Sequence, residues 1–372
     1  MNQVVDTKAR MDSIPHWFRG VRLNFAENIL YTRSSSCPSE RSTLHKEDSK
    51  VALTEVREGA SSVKQLTWGQ LRTRIGQLTH ALRKQGVKKG DRVAVVASNS
   101  FDTLIVFMAT TAIGALFSSS STDMGTKGVL DRLVQIEPRW VFVDDFAVYN
   151  GKKIDLRQKM GEISEGLRDV GEFRGVVVQP RFDTAVDVSM VPRAVTLERF
   201  LEAASGKTSI EFERVEFRDP FLVVYSSGTT GTPKCIVHST GGVLLSAMKE
   251  RKLHRDFGPT SVQLQYTTVI EALHYWFRCR RLTNHTRKDR MVRVYKFGLC
   301  PAVWWSFGFI RRLSFPTGPQ DLRPSCWRTG VCTALLFYPR TCQLSRDAPW
   351  LIHIQSHRPR HLSPLHARAP KK

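Results

Sequence analysis

The segment VVYSSGTTGTPKCIVHSTGG, residues 223–242, places a loop of hydroxyl and glycine residues directly after a β-branched run. FLVVY, residues 221–225, predicts a buried strand, and the apolar residues after the loop predict a second strand. In the loop, glycines let backbone N–H groups approach an anion, hydroxyls add neutral donors, and one lysine adds a positive charge. The segment therefore predicts a strand–loop–strand unit that binds a polyphosphate.

This loop matches neither of two common nucleotide-binding motifs. A Walker A loop needs a serine or threonine after its lysine, whereas Lys234 is followed by Cys235 and preceded by Pro233. The glycines also do not have the spacing of a dinucleotide-binding fingerprint. Composition alone leaves open a serine- and threonine-rich turn without a ligand.

Outward from this segment, apolar strands alternate with helical patterns. KVALTEV, RVAVVA, RWVFVDD and FRGVVVQ predict strands at residues 50–56, 92–97, 139–145 and 173–179. A helix is predicted to begin at Thr67, where a hydroxyl can cap it, and to end at Gly86; its apolar residues, Leu71, Ile75, Leu78 and Leu82, have helical spacing. Further helices are predicted over residues 101–117 and 127–137, with a serine-rich loop over residues 118–123. The alternation predicts a doubly wound α/β sheet with ligands at the carboxyl ends of its strands.

The strong positive charge is concentrated towards the C-terminus. The formal net charge is +22, and residues 269–372 contain 19 Lys and Arg against 4 Asp and Glu. A nucleic-acid-binding function for the whole protein therefore does not follow from its charge. Residues 269–372 also lack sustained periodicity, so we predict a largely irregular or disordered tail. Such a composition is typical of translation in a shifted frame or through an intron, and a genuine basic extension is the alternative.

Cysteine usage and hydropathy bear on the location of the protein. The 7 cysteines form no CxxC pair, which argues against a zinc site. Their odd number, together with an N-terminus without a secretory signal, indicates a reducing compartment. The longest apolar run, residues 103–117, is too short to span a bilayer. We therefore expect a cytoplasmic protein with no membrane partner.

The loop resembles the signature phosphate-binding loop of the adenylate-forming acyl-CoA synthetases, [YF]-[ST]-S-G-[ST]-T-G-x-P-K. Other stretches are similar to the branch of that family that activates acetoacetate: WFRGVRLNFAENIL, NSFDTLIVFMATTAIGALFSSSSTDMG and GVLDRLVQIEPRWVFVDD, residues 17–30, 99–125 and 128–145. The resemblance covers about residues 14–268. It implies the fold of an N-terminal adenylate-forming domain, with doubly wound sheets and flanking helices.

The resemblance also implies a reaction and a set of binding residues. A carboxylate, here acetoacetate, attacks ATP to give an acyl-adenylate and pyrophosphate, and coenzyme A then displaces AMP. The residues implied to hold the ATP phosphates, with Mg²⁺ nearby, are Ser226, Ser227, Gly228, Thr229, Thr230, Gly231 and Lys234. His238 lines the acyl pocket or is a core histidine, and both interpretations stay open. Cys235 is expected to be a buried, inert thiol.

After residue 268 the sequence departs from the family pattern. The family continues with Gly-Trp after QYTT, whereas this chain reads VIEALHYWF. The Tyr-Gly-x-[ST]-Glu motif, the ribose-binding aspartate, the hinge and the catalytic lysine of the family have no counterpart in residues 269–372. We therefore expect an incomplete domain, no retained catalytic residue and impaired activity. The expected division is an N-terminal segment at 1–50, the AMP-binding domain at 51–268 and the basic tail at 269–372.

The sequence offers three alternative functions. The chain could act on another short carboxylate, acetate or propionate. The tail, with Trp304, Trp305 and Trp327 among its arginines, could bind single-stranded nucleic acid, although a disordered basic sequence without a ligand is favoured. A metal site at the tail histidines is disfavoured because a proline interrupts their helical spacing; these are His353, His357 and His361. No metal ligand is therefore predicted.

Overall fold

A seven-stranded sheet lies at the centre of the fold. The computed structural model describes residues 4–10, 15–37, 39–57, 62–149, 151–182, 187–226, 233–254, 256, 261, 263–265, 293–295 and 334–337, all within one unit, Met1–Cys342. The helices are α1 (Phe25–Leu30), α2 (Trp68–Lys84), α3 (Phe101–Ala112), α4 (Thr126–Ile136), α5 (Arg157–Gly166), α6 (Leu197–Glu202) and α7 (Thr240–Lys249), and a π-helical turn, Glu250–His254, follows α7.

The strands are numbered along the chain. They are β1 (Arg22–Leu23), β2 (Thr32–Arg33), β3 (Arg41–Ser42), β4 (Val51–Val56), β5 (Val63–Thr67), β6 (Arg92–Val96), β7 (Leu116–Ser120), β8 (Trp140–Asp144), β9 (Phe146–Tyr149), β10 (Lys152–Asp155), β11 (Gly175–Gln179), β12 (Ala194–Thr196), β13 (Val215–Glu216), β14 (Pro220–Ser226), β15 (Lys234–Ser239), β16 (Gln263–Gln265), β17 (Arg293–Tyr295) and β18 (Ala334–Phe337). The predicted strands therefore correspond to β4, β6, β8, β11, β14 and β15.

The central sheet has the strand order β12-β11-β8-β6-β7-β14-β15. Its strands are parallel except for β15, which pairs antiparallel with β14. One core lies under α1, α2, α3, α6 and α7, and a second core lies under α4 and α5 on the opposite face. Phe107, Phe117 and Phe142 fill the first core, and Val141, Val143 and Met160 fill the second. This arrangement confirms the predicted doubly wound α/β class.

The sequence places the boundaries of α2 correctly. Thr67 accepts a hydrogen bond from the Gln70 N–H, and the Gln70 side chain in turn accepts one from the Thr67 N–H. This reciprocal capping box satisfies two backbone donors at the first turn. At the other end Gly86 has φ of +83°, a left-handed conformation that glycine adopts without strain.

The predicted helix over residues 101–117 is wrong at its C-terminal end. The helix α3 stops at Ala112, and Gly114, with φ of +77°, turns the chain into β7. The predicted serine-rich loop accordingly begins as a buried strand. Its polar side chains are accommodated within the sheet, as when the Ser118 hydroxyl donates to the carbonyl of Val223 at 3.0 Å. A continuous apolar run does not reveal where a buried helix gives way to a buried strand.

The N-terminal segment is attached to the domain through the buried carboxylate of Glu27. Arg41 Nε and Arg214 Nη2 each donate to its Oε1 at 2.9 Å. Although burial alone would raise the pKa of Glu27, these arginines hold it below its ordinary value. The segment and the chain around Arg214 are therefore held together by charge-assisted hydrogen bonds.

A second sheet has the strand order β17-β16-β18-β4-β5. Two of its strands, β17 and β18, come from the tail that begins at residue 269, and β18 pairs antiparallel with β4. The rest of the tail lies outside the described residues, including the three tryptophans and three histidines singled out in the sequence. The proposed domain boundary at residue 268 stays a prediction.

Candidate functional site

The direction of chain winding in the central sheet reverses at β6 and β7. From β6 the chain passes through α3 to β7, and from β7 it passes through α4 to β8 on the other side of β6. In a doubly wound sheet such a switch point leaves a crevice outside the carboxyl ends of the strands, where ligands bind. Because β14 lies beside β7 and runs parallel to it, the segment after Ser226 begins at this same edge.

The structure brings Ser226 and Lys234 together across the end of a β-hairpin. They are register partners in the β14–β15 pair, although seven residues separate them along the chain. Ser226 is partly buried and Lys234 is exposed, so the lysine side chain is free to reach an anion in solvent. The other predicted phosphate-binding residues, Ser227, Gly228, Thr229, Thr230 and Gly231, lie outside the described residues, and their role stays a prediction.

Two more residues of β15 were singled out in the sequence. His238 is partly buried and is the register partner of Leu222. Because side chains alternate along a strand, Lys234 and His238 lie on the same face of β15, roughly 13 Å apart along its axis. Whether His238 lines an acyl pocket stays a prediction.

The expected burial of Cys235 is wrong. Its side chain is exposed because β15 is the last strand of the central sheet and both of its faces are open at this point. Desolvation still raises the pKa of the thiol above its ordinary value, which disfavours the reactive thiolate. The thiol is thus accessible but weakly activated.

Sequence reasoning missed a buried carboxylate at the carboxyl end of β8. Asp144 Oδ2 accepts hydrogen bonds from the Ser98 N–H at 2.8 Å and from the Ser98 hydroxyl at 2.6 Å. The bonds fix the loop after β6, and Glu55 Oε2 accepts from the Phe101 N–H where that loop enters α3. Burial raises the pKa of Asp144 to about 7, even though the Ser98 bonds favour the charged form. The Asp-Asp pair that ends a predicted strand was the available signal.

Asp144→Asn is expected to flatten the pH dependence of stability between about pH 4 and pH 7. In this range folded Asp144 retains a proton that the unfolded chain, with its ordinary pKa near 3.8, has released. Binding of this proton stabilises the folded state fully at low pH, and the stabilisation is lost as the pH rises towards 7. The free energy of unfolding changes by roughly 4 kcal/mol at most over this range. Asparagine keeps an acceptor for Ser98 but does not titrate.

Urea unfolding at pH 5 and pH 7.5 measures this effect, with Asp169→Asn as the control because its carboxylate is exposed. An Asp144→Asn protein with the same pH dependence as the wild type would show that another group dominates the titration. The Asp169→Asn protein should follow the wild type at both pH values.

The described residues contain no group of three His, Cys, Asp or Glu side chains able to hold a metal ion. They also contain no helix that is both long and apolar enough to cross a membrane. The described part of the candidate site consists of the exposed ammonium of Lys234, the partly buried hydroxyl of Ser226 and the carboxyl edge of the parallel strands.

Comparison with known proteins agrees with this fold. The family model of the AMP-binding enzymes matches residues 40–278, and the chain belongs to that family. Within it, the chain is a homologue of acetoacetyl-CoA synthetases. It is 39% identical to acetoacetyl-CoA synthetase of Mus musculus over 278 residues, which is 74% of this chain and 39% of the mouse protein.

Two further relatives are named as synthetases of different acyl-CoA products. Malonamoyl-CoA synthetase vrtB of Penicillium aethiopicum is 34% identical over 279 residues, or 74% of this chain and 37% of that protein. The solved acetoacetyl-CoA synthetase of Streptomyces lividans superposes with a TM-score of 0.59 at 30% identity, covering 70% of this chain and 36% of that one. The chain therefore spans about two fifths of the length of these relatives.

Proposed function

We propose that the hairpin end formed by Ser226 and Lys234 binds the phosphates of ATP in an acid–thiol ligase reaction. The observation that carries the proposal is the pairing of these two residues at the carboxyl edge of the sheet, beside the switch point. Similarity to acetoacetyl-CoA synthetases supports acetoacetate as the carboxylate. We also propose that the reaction takes place in the cytoplasm, because the cysteine usage indicates a reducing compartment.

The chemistry divides into two displacements. A carboxylate oxygen attacks the α-phosphorus of ATP, the α–β anhydride bond breaks, and pyrophosphate leaves. The thiol of coenzyme A then attacks the carbonyl carbon of the acyl-adenylate, loses its proton, and AMP leaves. The contribution of Lys234 is a point charge that stabilises the negative charge on the β- and γ-phosphates, and Ser226 contributes a neutral donor.

Mg²⁺ would be held mainly by the phosphates themselves. The described residues around Ser226 and Lys234 offer a hydroxyl and an ammonium but no carboxylate cluster, so they fit the nucleotide rather than a bare cation. When bound, Mg²⁺ neutralises phosphate charge. Lys234 would share that task by contacting phosphate oxygens.

For the 372-residue polypeptide acting alone, we propose that turnover is impaired. Residues 269–372 contain none of the family motifs that bind the nucleoside or align the carboxylate, so phosphate contacts would have to provide most of the affinity. Positioning of the reacting atoms contributes a large part of catalysis in a displacement reaction. We accordingly expect phosphate binding to be easier to detect than product formation.

Lys234→Ala is expected to weaken the binding of magnesium-ATP by roughly 10-fold or more, because a charge-assisted hydrogen bond contributes about 1.5–3 kcal/mol. Titration calorimetry measures the affinity. Lys249→Ala is the control, since it removes another exposed lysine at the end of α7. Equal affinities of the wild type and Lys234→Ala would rule out the proposed phosphate site.

Carboxylate-dependent exchange between ATP and pyrophosphate tests the reaction itself. We expect a rate near background for the 372-residue polypeptide with acetoacetate. Fast exchange that Lys234→Ala abolishes would show that the polypeptide is a competent ligase. Running acetate and propionate in parallel tests the acyl preference, and the malonamoyl-CoA synthetase relative makes a different carboxylate the second candidate.

A further inference from the structure

Helix α4 makes a hydrogen bond to each side of the hairpin end that carries Ser226 and Lys234. The Tyr225 hydroxyl donates to the carbonyl of Arg132 at 2.8 Å. Gln135 Nε2 donates to the carbonyl of Pro233 at 3.3 Å. Arg132 and Gln135 are three residues apart, so they lie on the same side of the helix. One helical turn of α4 thus contacts the end of β14 and the residue that precedes β15.

The contact with Tyr225 is well defined. The guanidinium of Arg132 lies over the Tyr225 ring, with its carbon 5.6 Å from the ring centroid. Arg132 Nη1 also donates to the carbonyl of Gly128 at 2.6 Å, which holds the guanidinium against the helix. Burial raises the pKa of Tyr225 far above its ordinary value of 10, so the hydroxyl keeps its proton and remains a donor.

The two hydrogen-bonded residues are the immediate neighbours of the two described site residues. Tyr225 precedes Ser226, and Pro233 precedes Lys234. A displacement of either strand end would therefore move a phosphate-binding group by a similar distance. Because effective binding of a polyphosphate depends on donors held at fixed separations, a shift of about 1 Å is enough to weaken it.

We propose that Tyr225 and Gln135 are positioning residues that set the placement of Ser226 and Lys234 from α4. The inference rests on the proposed function, because it assigns these contacts to the same phosphate site. Helix α4 also follows β7 directly, at the switch point, so the element that borders the crevice holds the anion-binding hairpin in place.

The variants Tyr225→Phe, Gln135→Ala and their combination test this role. Phenylalanine keeps the ring against Arg132 and removes only the hydroxyl group. The carbonyl of Arg132 retains the hydrogen bond that residue 136 makes to it within the helix, so little loss of fold is expected. Tyr149→Phe is the control, because Tyr149 is an exposed tyrosine on β9.

Two measurements on the 372-residue chain are needed. The first is the affinity for inorganic triphosphate with Mg²⁺, which should fall about 5- to 10-fold in the double variant while the thermal midpoint changes little. The second is amide hydrogen exchange at Ser226, Lys234 and Cys235, which should become faster in the double variant without ligand. Tyr149→Phe should match the wild type in both.

The outcomes separate this inference from the proposed function. If Lys234→Ala weakens triphosphate binding and the double variant does not, the positioning role is wrong and the phosphate site stands. Unchanged amide exchange in the double variant would also overturn the positioning role. If the wild type fails to bind triphosphate, the proposed function fails and this inference fails with it.

Discussion

Gly76→Ala is expected to destabilise the protein by about 3–5 kcal/mol or to prevent folding. A Cβ added at Gly76, in the middle of α2, would lie 1.7 Å from the carbonyl oxygen of Thr208 and 2.4 Å from its carbonyl carbon. Both atoms belong to the backbone, so no change of rotamer relieves the overlap. The helix and the segment at residue 208 would have to separate.

The segment that approaches Gly76 is held on α2 by polar contacts. His80 Nε2 lies 2.8 Å from the carbonyl oxygen of Ser209, and Arg83 donates to both the carbonyl and the carboxylate of Glu211. A separation large enough to admit a methyl group would strain these bonds as well. The clash therefore cannot be relieved by a local shift at Thr208 alone.

The matched control is Gly161→Ala in α5. A Cβ at Gly161 meets no atom within 4 Å. Since alanine favours a helix over glycine, this variant should gain about 0.5–1 kcal/mol. Urea unfolding followed by circular dichroism measures both variants. A stable Gly76→Ala protein would contradict the close approach of α2 and residue 208.

Asn24→Asp is expected to destabilise the protein by about 2–4 kcal/mol at neutral pH, even though aspartate is an equally good helix cap. The Asn24 Oδ1 atom caps α1 by accepting from the Glu27 N–H at 3.0 Å. Its Nδ2 atom faces three carbonyl oxygens, those of Thr111, Ala112 and Glu213, at 2.8–3.0 Å. Aspartate keeps the cap but places a buried carboxylate against these acceptors.

Asn24→Ala separates the two roles of this side chain. Alanine loses the cap and the donor, so we expect a cost of about 2 kcal/mol. If Asn24 acted only as a cap, Asn24→Asp would be harmless and Asn24→Ala would be the damaging change. The unfolding free energies of the wild type, Asn24→Asp and Asn24→Ala show which of the two substitutions costs more stability.

The pH dependence gives a second test. In Asn24→Asp, the pKa of the introduced carboxyl group should be raised by burial and by the carbonyls, so the folded state would bind a proton more tightly than the unfolded state. This variant should therefore regain stability as the pH falls towards the ordinary pKa of an aspartate. Asn24→Ala has no such group and should show no comparable recovery.

Much of the fold could be predicted because its signals are local. The capping residues Thr67 and Gln70 and the left-handed Gly86 define the ends of α2 within a single stretch of chain. The β-branched runs identified the parallel strands, since strands buried on both faces need continuous apolar sequence. The helix predicted over residues 101–117 extends too far, because a buried helix and a buried strand have similar apolar composition.

The site was only partly predictable. The segment 223–242 indicated the phosphate-binding loop, and Ser226 and Lys234 do meet across a hairpin. The exposure of Cys235 was not predictable, because it depends on β15 being the last strand of the sheet. The burial of Asp144 likewise depends on the loop after β6, which lies 46 residues earlier.

The sequence by itself determined the family, the doubly wound class and the hydroxyl- and glycine-rich loop with its lysine, because each is encoded by neighbouring residues. Only the tertiary structure decided that Arg132 and Gln135 form hydrogen bonds with Tyr225 and Pro233, over separations of 93 and 98 residues. It also decided that Gly76 must lack a side chain and that Asn24 must donate as well as accept. Contacts between distant residues follow from how strands and helices pack, and packing leaves no periodic signal in the sequence.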